Sequence, residues 1–276
     1  MTLPAMIPTP ASTEPTERCG FYRAWDVADA GAIDRLWHCS VGFAPAAPHW
    51  LMPFAEPSLL LRRRFDPAGA TLSFGLEIAP ASLDGECYRP AAGEALYAVR
   101  LAPETMEPLL GLKASEYTST HRAVPDALRR RLDPVLALAS RDRFAEAWAE
   151  MARILAGMER GGGPAPVEFA ARHLRLASGR LAPGELARLA DISPRQLRRG
   201  FAERFGRSPR AIARRLRLAG ALFEAEVAAR PCWAGIAAGH RFSDQAHLVR
   251  ECRAILGATP TAVHAARRAM AVSFNS

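Results

Sequence analysis

The sequence predicts an α+β chain. It has a mainly β N-terminal part of barrel or sandwich type, a helical connector, and an all-α C-terminal part with two helix-turn-helix modules. Three observations carry this. One pattern occurs twice in the C-terminal half: Leu186-Ala187-x-x-x-Asp191-Ile192-Ser193, Leu197-x-Arg199-x-Phe201, Gly206-x-Ser208-Pro209, then Ile236-Ala237-x-x-x-Arg241-Phe242-Ser243, Leu248-x-Arg250-x-Cys252, Gly257-x-Thr259-Pro260. The early positions are offset by 50 residues and the later ones by 51, so the second copy carries one extra residue before Leu248. Short apolar runs broken by Pro, Gly and Asp fill the region before residue 103, and helical periodicity takes over after Val124.

Taken in order, residues 1–18 are rich in Pro, Ser, Thr and Glu and predict a poorly ordered tail. Residues 19–120 form the β-rich part, with strands expected at Trp37–Val41, Leu59–Phe65, Thr71–Ile78 and Ala95–Leu101. Pro103–Gly111 suits a short helix ending at glycine. Residues 121–160 form the connector. Leu128, Leu132, Val135, Leu136 and Leu138 make one amphipathic stretch, broken near Pro134; Phe144, Trp148, Met151, Ile154 and Leu155 make another. Apolar helix faces need a cover, which is the core, a second copy or both, and a homodimer is expected. Gly161-Gly162-Gly163-Pro164-Ala165-Pro166 reads as the linker, and residues 167–276 as the final domain.

The net charge of +8 is unevenly placed. Residues 161–276 carry 19 Arg against 8 Asp and Glu, a net +11, and the preceding 160 residues are at −3. A solvated arginine-rich face would give the same composition, but an acidic half joined to a basic one suggests a polyanion partner for the basic half. The five cysteines form no CxxC pair, no signal-peptide pattern opens the chain, and no apolar run reaches membrane-spanning length. A soluble, cytoplasmic protein without a membrane partner is expected.

In the first module Pro183–Ala190 leads and Ser193-Pro194-Arg195-Gln196 is a capping box with Pro at the first helical position. Leu197, Phe201 and Phe205 must face the core. Arg195, Arg198 and Arg199 line the opposite face, with Arg204 and Arg207 near its end. Arginine can pair bidentately with guanine or bind phosphate, so the helix suits a DNA groove. Ser208-Pro209 caps a long helix, roughly Pro209–Ala229, with Ile212, Leu216, Ala219, Phe223 and Val227 buried and Arg210, Arg214 and Arg217 outward. Its 21 residues would span roughly 30 Å, near the groove repeat of about 34 Å. In the second module Trp233–Gly239 leads, and Asp244 or Ser243 caps a helix that buries Leu248, Cys252 and Ile255. Gln245, Ala246, Val249 and Arg250 face outward: Gln suits adenine, Ala and Val a thymine methyl, Arg a phosphate. His240 and His247 fit packing or phosphate contact, since no Cys/His pair has zinc spacing.

These residues resemble the AraC/XylS-type bacterial transcription regulators. Phe242-Ser243-Asp244-Gln245-Ala246-His247-Leu248-x-Arg250 with Gly257-x-Thr259-Pro260 is similar to that family's second-module signature, and Ser193-Pro194-Arg195-Gln196-Leu197-x-Arg199-x-Phe201 to its first. The likeness covers about Val167–Val263. It implies a seven-helix domain binding promoter DNA through Ser193, Arg195, Arg198, Arg199, Arg204, Arg241, Gln245, Ala246, Val249 and Arg250. It also implies RNA polymerase as a partner and an N-terminal domain that binds a small-molecule effector or dimerises. Two positions depart from the pattern: Arg241 stands where the second turn usually has Gly, with Asp191 in the first, and Cys252 replaces an aromatic. Arg241 either strains the turn or reaches a phosphate.

In the N-terminal part, His49-Trp50-Leu51-Met52-Pro53, the strand Leu59–Phe65, Tyr97 to Pro103 and Leu109 to Ala114 resemble an uncharacterised β-rich domain of a subset of these regulators. Trp37, Trp50, Phe54 and Tyr97 are the candidate effector-lining residues. A ligand-independent architectural DNA binder is the alternative. Catalysis is the third reading: His38, Cys39, His49, Asp84, Glu86 and Cys87 supply the residue types, but no ordered triad, cupin-like ligand set or phosphate loop accompanies them. No catalytic residue, metal site or cofactor is therefore expected.

Overall fold

The computed structural model describes residues 21–26, 33–43, 49–52, 57–80, 86–88, 91–102, 109–111, 121–158, 165–226 and 228–272. Its first part is a six-stranded antiparallel sheet in the order β1-β2-β7-β4-β5-β8. The strands are β1 Phe21–Asp26, β2 Ile33–Val41, β4 Ser58–Phe65, β5 Thr71–Ala79, β7 Glu94–Leu101 and β8 Arg122–Ala123. A separate pair joins β3 (His49–Leu51) to β6 (Glu86–Tyr88). All four strands expected from the sequence are present. Those without a sequence signal are mostly two or three residues long, too short for alternation to register. The expected barrel or sandwich takes the form of an open sheet, with β1 and β8 at its edges and helices on one face.

Side-chain alternation divides the sheet into two chemistries. On one face Leu36, Leu59, Leu61, Ile78, Tyr97 and Val99 are buried in a single apolar cluster. Register sets His38 and Leu61 on either side of Tyr97, and the His38 ring stacks on Tyr97 at 4.3 Å. The other face carries Trp37, Cys39, Val41 and Leu96 together with Arg62, which hydrogen-bonds both Glu77 and Glu94. Burial pushes the Glu77 carboxyl up, but hydrogen bonds and charge from His121 and Arg62 outweigh it and hold it at about 2.

Three helices follow: α1 Asp126–Arg131, α2 Asp133–Ala139 and α3 Phe144–Ala156. The break between α1 and α2 falls at Leu132, and Pro134 sits in the first turn of α2, where its missing N–H costs nothing. The apolar stripe of α3 packs on the sheet of its own chain. Phe144, Trp148, Met151 and Leu155 are buried there, and Trp148 Nε1 donates to the Ala98 carbonyl at 3.0 Å. Of the covers expected for this stripe, core packing is the one that its buried residues have. Most of the expected linker lies in residues 159–164, outside the described residues, as does most of the helix expected at Pro103–Gly111. Leu109 and Leu110 are helical, and Gly111 has φ +68°.

Among the described residues the C-terminal part has seven helices: α4 Pro166–Leu176, α5 Pro183–Leu189, α6 Pro194–Phe205, α7 Pro209–Glu226, α8 Trp233–Gly239, α9 Gln245–Leu256 and α10 Pro260–Val272. Its core is not closed off from the sheet. The cluster that begins at Ile33 continues through Trp148 and Leu155 to Ala170, Leu174, Leu197, Phe201 and Leu216. A second cluster joins Met52, next to β3, to Leu218, Leu222, Phe242, Leu248 and Cys252. The Asp34 carboxylate on β2 also bonds Arg175 on α4. Truncating Trp148 to Ala empties the middle of the first cluster. It should lower the unfolding free energy by about 3–5 kcal/mol, measured by urea unfolding of the whole chain.

Candidate nucleic-acid interface

The repeat in the sequence is a repeat of hydrogen bonds. After α5, Ala190 N–H donates to Leu186 O, Asp191 to Arg188 O and Ile192 to Ala187 O; after α8, His240 donates to Ile236 O, Arg241 to Ala238 O and Phe242 to Ala237 O. The third bond of each set closes a six-residue loop that requires a left-handed residue at the turn. Asp191 has φ +50° and Arg241 φ +55°. This is the place where the resembled pattern usually has glycine in the second turn, and both residues adopt the conformation glycine would take most easily. The Arg241 side chain meanwhile donates through Nη1 to the Arg180 carbonyl at 2.8 Å, tying the second turn to the loop between α4 and α5.

Each turn delivers a capped helix. Ser193 Oγ accepts the Gln196 N–H at 3.2 Å while Gln196 Oε1 accepts the Ser193 N–H at 2.8 Å, the reciprocal pair its spacing predicts. In the second copy the cap is Asp244, whose carboxylate accepts the His247 N–H at 2.6 Å. Ser193 and Asp244 are 51 residues apart and the preceding turns 50, so the extra residue of the second copy is Ser243, absorbed immediately before the cap. Helices α6 and α9 are both 12 residues long, and both end at glycines in the left-handed region, Gly206 and Gly257.

Helix α6 buries Leu197, Gly200, Phe201 and Phe205. Gly200 is required by close approach: a Cβ there would stand 2.3 Å from Val167 Cγ2 of α4. The outward row is exposed at Arg195, Arg198 and Arg199. Arg199 lies 3.8 Å from Glu203 with both side chains largely in solvent, a contact too weak to hold the guanidinium. Arg204 departs from the expectation. It is turned back onto Glu168 at 2.7 Å, and Glu168 also accepts the Ala165 N–H at the start of α4. Arg204 therefore ties α4 to α6 instead of extending the outward row.

The connecting helix α7 ends at Glu226, short of the expected Ala229. Its 18 residues span roughly 27 Å. Ala228 to Arg230 leave the helix ahead of Pro231, which disfavours helical geometry in the residue before it. Of the three arginines expected to face outward only Arg210 is exposed. Arg214 donates to Glu251 of α9 at 2.6 and 2.8 Å. Arg217 sits over the Phe242 ring at 5.8 Å, its pKa lowered by burial and by the charges of Arg214, Arg210 and Arg241 against the opposing pull of Glu251. Glu251 is 37 residues from Arg214, and no local pattern in the sequence announces the pair.

Helix α9 buries Leu248, Cys252, Ile255 and Leu256. Burial pushes the Cys252 thiol up to about 12, so this small side chain is an inert packing group. Gln245, Ala246 and Arg250 are exposed and Val249 is half-buried beside them. His247 Nδ1 accepts the Ser243 N–H at 3.2 Å, and its ring meets Phe242 edge-on at 5.4 Å. His240 is buried and bonds Glu224 at 2.8 Å. Both histidines have partners within the chain, and no cluster of metal-ligating residues occurs among the described residues.

Of the four aromatic residues expected to line one effector site, the three that are described are not brought together. Tyr97 is buried on the helix-covered face among His38, Phe144 and Trp148. Trp37 is on the opposite face, where Nε1 donates to Ser58 Oγ at 3.2 Å. Trp50 reaches the C-terminal part, where Nε1 donates to the Leu256 carbonyl at 3.0 Å. Phe54 lies outside the described residues, as do Asp84 and the side chains of His49, Glu86 and Cys87. Neighbours on a strand, His38 and Cys39 point to opposite faces, and burial followed by the Glu94 charge pushes the Cys39 thiol up to about 12. These two do not form a nucleophile pair.

Residues 186–266, from α5 into α10, match the model of a family described as a helix-turn-helix domain. No curated protein matches the chain. Among solved structures it is similar to ToxT from Vibrio cholerae. An apo, singly substituted ToxT of strain SCE256 is 7% identical over 89% of this chain and 96% of that one, with a TM-score of 0.44. ToxT of strain O395 bound to (E)-4-(8-methylnaphthalen-1-yl)but-3-enoic acid is 6% identical over 90% and 98%, with a TM-score of 0.43. The unsaturated-fatty-acid-bound wild-type ToxT of strain SCE256 is 7% identical over 89% and 94%, with a TM-score of 0.44.

The two caps lead to different tests. Ser193→Ala should lower stability by about 1 kcal/mol in urea unfolding. The Asp244 carboxyl is held below its usual value chiefly by the His247 backbone N–H. Its contribution is present above the unfolded value of about 3.9 and is lost as pH falls below it, through the lower folded value. Asp244→Asn should flatten that part of the stability profile below about pH 4, read by acid titration of helical circular dichroism.

Proposed function

We propose that this chain, whose residues 186–266 form a helix-turn-helix domain of the AraC type, is a sequence-specific transcription regulator that binds promoter DNA in the cytoplasm. The observation that carries the reading is the pair of capped helices α6 and α9. Each has its apolar stripe locked in the core and its polar face left in solvent. A helix of that kind can enter the major groove without giving up any of its packing.

The two faces differ in chemistry, and the difference assigns their work. Arg195, Arg198 and Arg199 supply charge that binds phosphate and can pair with guanine, so α6 anchors. Gln245, Ala246 and Val249 supply one amide and two apolar contacts, so α9 discriminates, with Arg250 on the backbone. Both modules lie in one chain, so a single copy presents both helices to a two-part site. Small-molecule control belongs to the N-terminal part, because the shared apolar cluster from Ile33 to Leu216 gives any rearrangement of the sheet a packed route to α6. Contact with RNA polymerase completes the regulator.

Duplexes selected from random-sequence DNA by the full chain test this reading. Arg198→Ala should weaken binding by about 1–3 kcal/mol and relax selectivity at one base pair. Loss of a phosphate contact at Arg195 or Arg199 should reduce the slope of log affinity against log salt by about 1. Unaltered affinity of the Arg195→Ala, Arg198→Ala, Arg199→Ala triple variant would overturn it.

A further inference from the structure

We infer that Trp50, in the N-terminal part, is a positioning residue for the second reading helix, an inference that rests on the DNA-binding reading above. Strand β3 runs along the second module. Trp50 Nε1 donates at 3.0 Å to the carbonyl of Leu256, the last residue of α9. Carbonyls at a helix C-terminus have no helical N–H to accept, and Gly257, with φ +70°, turns the chain away at that point. The indole supplies one of the missing donors from outside the module.

The strand is held from the other side as well. The Trp50 carbonyl accepts from Arg267 Nη1 of α10 at 2.9 Å, and Arg267 Nε bonds Glu226, the last residue of α7. Arg267 and Arg35 of β2 lie 5.8 and 4.4 Å from the Phe223 ring centroid. Two residues beyond Trp50, the chain places Met52 in the same apolar cluster as Leu248 and Leu256. Trp50 thus grips α9 at the end away from Gln245 and Ala246, which lie in its first turn. Over 12 residues, roughly 18 Å, a small tilt at the held end becomes a displacement at the reading end larger than base-edge hydrogen bonds tolerate. The helix that Trp50 bonds is α9, so its effect is expected on discrimination by α9.

The test uses the full chain and a two-part duplex that the wild-type chain selects from random-sequence DNA, with single base substitutions in either part. Trp50→Phe keeps an aromatic ring and deletes the N–H; Trp50→His returns a ring N–H. Trp50→Phe should lose about five-fold in discrimination at the part read by α9, the loss of one hydrogen bond, with the other part unchanged. Trp50→His should recover most of it. A parallel loss at both parts, or no loss at either, in a variant with the wild-type thermal midpoint overturns the assignment. If Trp50→Phe does not fold, Arg267→Lys loosens the same clamp from the α10 side and should show the same one-sided loss. A wild-type chain that enriches no sequence overturns the DNA-binding reading itself, an outcome distinct from equal behaviour of wild type and variant on a selected duplex.

Discussion

The seam between α3 and the sheet is the contact on which the rest of the structure depends. Trp148 lies at its centre, with the indole N–H on the Ala98 carbonyl and the ring against Tyr97 and His38. Were this face open, the sheet would expose a row of Leu, Ile and Val to water and α3 would need a second copy to cover it. With the face closed, Leu155 and Met158 carry the same core forward to Ala170 and Leu174 of α4, and from there to the inner face of α6. This continuous packing is the first thing that orients α6 relative to the sheet.

Charge enters as a second layer of positioning. The C-terminal half is rich in arginine, yet many of those arginines do not face outward. Arg204 is committed to Glu168, Arg214 to Glu251, Arg175 to Asp34 and Arg267 to Glu226. Each pair joins two elements distant in sequence, and a partly buried pair keeps more of its attraction than an exposed one. What remains in solvent on α6 is the row Arg195, Arg198 and Arg199. The half-domain charge of +11 thus divides into arginines that hold the fold and arginines available to a polyanion.

The two modules share turn geometry, helix length and cap position but are supported differently. The first has a serine capping box and a packing glycine, Gly200, against α4. The second has an aspartate cap, a compact Cys252 core, and outside bonds from Arg214 and Trp50. Those outside bonds tie α9 to α7 and to the N-terminal part.

By itself the sequence determined what is local. Strand alternation placed β2, β4, β5 and β7; the capping box, the proline-led helices and the 50-residue echo placed both modules and their buried stripes. These signals arise within a few residues of chain, so periodicity and cap chemistry carry them. Only the tertiary structure decided which arginines are spent on Glu168 and Glu251, that α3 covers its own sheet, and that Trp37, Trp50 and Tyr97 part to two sheet faces and a neighbouring module. The physical reason is the same each time: those outcomes depend on which distant element arrives alongside, and hydrophobicity, charge and hydrogen-bonding capacity are properties of a residue that do not name its partner.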